Sequence, residues 1–71
     1  MHTTIHILSK REQEVAKQIA LGKTNRDIGD SLYISERTVK FHCANIYKKL
    51  KIANRSTLIS RYADQIRQLH L

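Results

Sequence analysis

Only three residues, Tyr33, Ile34 and Ser35, separate the last apolar position of one short helical pattern, Leu32, from the first residue of the next, Glu36. A link that short cannot form a wide loop, so the two helices must meet at an angle with apolar side chains wedged between them. Ile28, Leu32, Ile34 and Val39 stand where such a wedge is needed. The helices cross closely near the turn, which asks for a small residue on the first one. Gly29 occupies that place, although glycine inside a helix costs about 0.5–1 kcal/mol relative to alanine.

The rest of the chain reads as helices around this pair. Ser9 followed by Glu12 has the form of a capping box, so a first helix is predicted from about Lys10 to Leu21, with Val15, Ala16, Ile19 and Ala20 on one face and Gly22 just past its end. Thr24 is placed to cap the second helix and Ser35 the third. In the third, about Glu36 to Leu50, the residues Val39, Cys43, Ile46 and Leu50 follow i, i+4, i+7, i+11 and form one buried stripe. Arg37, Lys40, Phe41, Ala44 and Lys48 lie opposite. A fourth helix, capped by Asn54 or Ser56 and running to about Gln68, carries Leu58, Ile59, Tyr62, Ala63, Ile66 and Leu69 on a broad apolar face. Residues 1–7 are expected to be a loosely held arm. The fold class is therefore all-α, and 71 residues leave room for one domain with a small core.

Charge is placed on one side. Of the net charge of +7, none arises before Arg37, where five basic and five acidic residues cancel. From Arg37 to Ala63 there is no Asp or Glu, while Arg37, Lys40, Lys48, Lys49, Lys51, Arg55 and Arg61 all fall there. Such a field draws polyanions.

Other functions find little support. Cys43 is the only cysteine, so no internal disulfide forms and no metal-ligand spacing exists. This suits a reducing cytoplasm. On the buried stripe Cys43 reads as a small core residue rather than a redox sensor, and His42 as a packing residue. The sequence shows no nucleophile with a base, no paired carboxylates and no phosphate-cradling glycine loop, so an enzyme is not expected. Nor is a cofactor, a metal or a small-molecule substrate. No apolar run approaches the length needed to cross a membrane.

Two short helices joined by a tight turn, the second with a basic outer face, are the parts of a DNA-reading helix-turn-helix. The stretch from Leu8 to Ser56 also resembles the DNA-binding domains of LuxR-type regulators, also called the GerE or FixJ/NarL type. The resemblance is carried by Leu8, Arg11, Glu12, Glu14, Val15, Ile19, Ala20, Gly22 and Asn25 in the first half. It continues through Ile28, Leu32, Ile34, Ser35, Thr38, Val39, Lys40, His42, Asn45, Ile46, Lys49, Leu50 and Arg55. Extended to Leu69, it covers nearly the whole chain and sets the domain at residues 8–71.

The resemblance implies a four-helix domain whose third helix enters the major groove and whose fourth is available for homodimerisation on inverted repeats. Carried over by position, Lys40, Phe41 and Ala44 face base edges; read from the residues alone, Phe41 could equally cover the edge of the core, where Tyr47 is also expected to pack. Phosphate contacts come from Thr24, Asn25, Ser35, Arg37, Thr38 and Lys48. The dimer seam is assigned to Leu58, Ile59, Tyr62, Ile66 and Leu69, on the argument that this face is wider than so small a core can bury. Further partners implied are RNA polymerase or a larger regulator. The competing function is an interaction module, or anti-activator, that pairs with a larger regulator through helix four. The sequence departs from the family's habits at Gly29, where alanine is more usual, and at Phe41 and Ala44, where polar side chains are frequent.

Overall fold

Each helix begins on a polar side chain that bonds the helix's own free amides. In the computed structural model, which describes residues 4–70, the order is a 3-10 turn (Ile5–Ile7), α1 (Lys10–Ala20), α2 (Asn25–Leu32), α3 (Glu36–Leu50) and α4 (Arg55–Arg67). Ser9 Oγ accepts from the Glu12 amide at 3.1 Å while Glu12 Oε1 accepts from the Ser9 amide at 2.9 Å, completing the capping box. Thr24 caps α2 and Ser35 caps α3 by the same reach of three residues. At α4 the cap is Asn54, not Ser56, with Oδ1 accepting from the Thr57 amide at 2.9 Å. Each such cap is worth about 1 kcal/mol.

The ends of α2 and α3 are less ordinary. Tyr33 (φ 59°) and Lys51 (φ 57°) are both left-handed without being glycine, a conformation that costs an L-residue about 1–2 kcal/mol. What holds them is the bonding that closes the last turn: the Ile34 amide donates to the Gly29 carbonyl and the Ile52 amide to the Tyr47 carbonyl, both at 2.9 Å. Gly22, just past α1, takes the same region at φ 85° as expected of glycine.

α2 packs chiefly on α3, α1 lies against both α3 and α4, and the 3-10 turn rests on α3 and α4. Val15, Ile19, Ile28, Val39, Ile46 and Leu58 have no exposed surface at all. The expected wedge is present, with Ile28 and Val39 inside and Leu32 and Ile34 packed at its edge. Gly29 fits its predicted role closely, since a Cβ built on it would lie 2.6 Å from the Ile34 carbonyl oxygen.

Two expectations are corrected. The segment ahead of Leu8 is not a loose arm where it is described: Ile5 is 1% exposed in the core, and its amide donates to Gln65 Oε1 of α4 at 2.8 Å. The expectation for residues 1–3 lies outside the described residues. The second correction concerns the dimer seam. Leu58, Tyr62, Ile66 and Leu69 are buried within the single chain, and of the five assigned residues only Ile59, 38% exposed, remains at the surface. The core accommodates the wide stripe because α1 and the 3-10 turn cover α4 together.

Candidate nucleic-acid interface

The fifteen residues of α3 divide along the helix axis. Val39, Cys43, Ile46 and Leu50 point inward, and Arg37, Lys40, Phe41, Ala44 and Lys48 are all exposed on the other side. The turn that sets the angle between α2 and α3 thus presents this second face outward as one strip.

Lys40 Nζ lies 3.9 Å from Glu36 Oε2, with both side chains largely in solvent. An exposed pair of this kind contributes roughly 0–1 kcal/mol and leaves the ammonium available to another acceptor. Phe41 is 64% exposed, with its ring 6.1 Å from that of His42 and tilted by 60°. It does not cover the core edge. Tyr47, by contrast, does pack there, and Tyr33 in the turn is 94% exposed.

The residues assigned to phosphate contacts gather at the two helix starts. Thr24 and Ser35 use their hydroxyls as caps, and Ser35 Oγ and Thr38 Oγ1 are 2.9 Å apart. Arg37 and Lys48 are exposed at opposite ends of the α3 strip. The Asn25 side chain is partly committed, because its Oδ1 accepts from Arg55 Nη1 at 2.9 Å.

Two of the seven basic residues in the acid-free stretch are bonded to other groups of the chain, which the charge pattern alone did not reveal. Arg55 holds Asn25 and the Lys23 carbonyl oxygen. Lys49 Nζ meets Glu12 Oε1 at 2.7 Å across α1 and α3. Glu12 is 5% exposed. Burial pushes its carboxyl upward, but the Lys49 ammonium and the Ser9 amide and hydroxyl outweigh that and hold it below its ordinary value of 4.5. Only the capping-box position of Glu12 hinted at this pair, since its partner lies 37 residues away.

Burial also raises the Cys43 thiol above its ordinary value, with Arg55 opposing. A thiol so placed is poor in the reactive thiolate form. Among the described residues no cluster of His, Cys, Asp or Glu is arranged to hold a metal ion, and no helix is long and apolar enough to cross a membrane.

Capped short helices, a three-residue turn and an outward basic strip on the second of them define a DNA-binding helix-turn-helix domain of the transcription-regulator class. By family, this chain belongs to the bacterial regulatory proteins of the LuxR family, whose GerE model matches residues 6–62. It is 39% identical over 62 residues to the probable csgAB operon transcriptional regulatory protein of Salmonella typhimurium, covering 87% of this chain and 29% of that protein. To the transcriptional regulatory protein DegU of Brevibacillus brevis it is 46% identical over 55 residues, 78% of this chain and 23% of the relative. To LiaR of Bacillus subtilis it is 49% identical over 49 residues, 69% of this chain and 23% of the relative. The chain thus spans less than a third of the length of these curated relatives.

Proposed function

We propose that this domain reads double-stranded DNA sequence-specifically, with α3 in the major groove and a homodimer formed on an inverted repeat in the cytoplasm. The observation that carries this reading is the exposed strip of α3. Lys40, Phe41 and Ala44 sit at its centre, Arg37 and Lys48 at its ends, and the only acid on the helix is Glu36 in its first turn. Lys40 is assigned a hydrogen bond to a guanine edge and Phe41 an apolar contact with a thymine methyl, both of which the major groove offers. Thr24, Asn25, Ser35, Arg37, Thr38 and Lys48 surround that centre with phosphate donors, helped by the free amides of two helix N-termini. With most of the apolar stripe of α4 internal, a second copy would meet the outer side of α4 around Ile59. RNA polymerase or a larger regulator are further partners of this reading.

The test is selection of bound duplexes from a random pool by the purified chain. Enrichment of an inverted repeat is the expected result. Lys40→Ala should then weaken binding to the enriched site by about 1–3 kcal/mol, the scale of one lost base contact. Retention of DNA with no enriched motif would reduce the reading to charge-driven binding. Absence of any retention, with capture of a larger regulator instead, would replace it by the interaction-module reading.

A further inference from the structure

Arg55 is the first residue of α4, yet its guanidinium reaches the chain at the start of α2. Nη1 donates to Asn25 Oδ1 at 2.9 Å and Nη2 donates to the Lys23 carbonyl oxygen, so one planar fork spans the cap residue Thr24 from both sides. The main packing of α2 is on α3 and α1, and that of α4 is on α1 and the 3-10 turn. The fork is therefore a hydrogen-bonded bridge from α4 to the start of α2.

The chemistry of this bridge fixes more than a distance. A guanidinium has five donors and no acceptor, so it can take only the oxygen end of the Asn25 carboxamide. The Cys43 thiol approaches the same Oδ1 at 4.0 Å. With its oxygen held from within the fold, the amide must turn its NH2 group the other way. None of the described side-chain hydrogen bonds uses that NH2, and Asn25 is only half-buried.

We infer that Arg55 is a positioning residue for DNA binding: it orients the Asn25 amide so that its NH2 donates to a backbone phosphate beside the capped start of α2. The inference rests on the reading of the domain as a duplex binder. It also gives α4 a hydrogen-bonded hold on the DNA-facing helix pair, distinct from the apolar core that the four helices share.

Two variants of the intact chain test it, each measured for melting temperature and for affinity toward the enriched duplex over a salt series. Asn25→Asp keeps the oxygen that Arg55 holds but replaces the outward donor by an acceptor. Arg55→Lys keeps the charge but gives up the rigid fork that spans two acceptors. Expected for both is a loss of about tenfold or more in affinity; because the lost donor is a neutral amide that displaces no counterion and Arg55→Lys keeps its charge, the salt slope of Arg55→Lys should stay that of the wild type. Asn25→Asp should show the affinity loss with no fall in melting temperature, which a purely structural role of Asn25 would not produce. Wild-type affinity in Arg55→Lys would overturn the inference, as would affinity losses that only follow a fall in melting temperature. Failure of the wild-type chain to retain any duplex would overturn the duplex reading itself, and this inference with it.

Discussion

At Gly29 two preferences of one position oppose each other, and distance decides between them. Alanine there gains about 0.5–1 kcal/mol of helix preference. Its Cβ, however, would stand 2.6 Å from a backbone oxygen, that of Ile34, which is anchored in the turn and cannot swing aside as a side-chain tip would. Overpacking of this kind costs about 1–3 kcal/mol, so Gly29→Ala is expected to destabilise the domain by about 1 kcal/mol net, measured by urea unfolding. The need for a small residue was legible from the three-residue link alone. The bond from Arg55 to Asn25 was not, because a polar residue at a helix start reads the same whether it faces solvent or accepts from a side chain thirty residues on.

Among the elements, α3 was the most legible: its cap, its inward stripe and its outward basic strip all point to Glu36–Leu50, the bounds observed. The 3-10 turn left no such trace, since three residues are too few to show a helical period and their partners lie in α3 and α4. The same omission explains the misread width of α4. Its stripe looked too broad for the core because one of the elements that cover it had been counted as an arm. Ile5→Ala should therefore cost about 2–4 kcal/mol in thermal or urea unfolding, the range for a buried isoleucine truncated in a packed core, whereas a loose arm would tolerate it.

For the whole molecule the acid-free stretch is a guide to the field but overstates the number of free cations, as Lys49 is paired with Glu12 and Arg55 is bonded to Asn25. The Lys49–Glu12 pair also ties α3 to α1 in a pH-dependent way. The folded state holds the Glu12 carboxyl below its ordinary value of 4.5, so the unfolded chain binds its proton more readily. The stabilisation is present above that ordinary value and is lost as pH falls through the lowered folded value. Glu12→Gln should accordingly lower the melting temperature at neutral pH, and the gap to the wild type should close as the medium is acidified below about pH 4.5.

Because Leu58, Tyr62, Ile66 and Leu69 are buried within a single chain, folding is expected to be unimolecular. The unfolding midpoint should be the same at micromolar and at near-millimolar protein, which is not so for chains that complete their core with a second copy. For the proposed dimer, abundance then matters less than spacing. Two neighbouring half-sites on one duplex confine the copies to each other's vicinity at an effective concentration of about millimolar. The distance between half-sites, written in the DNA, would decide which promoters see a pair and which see only isolated copies.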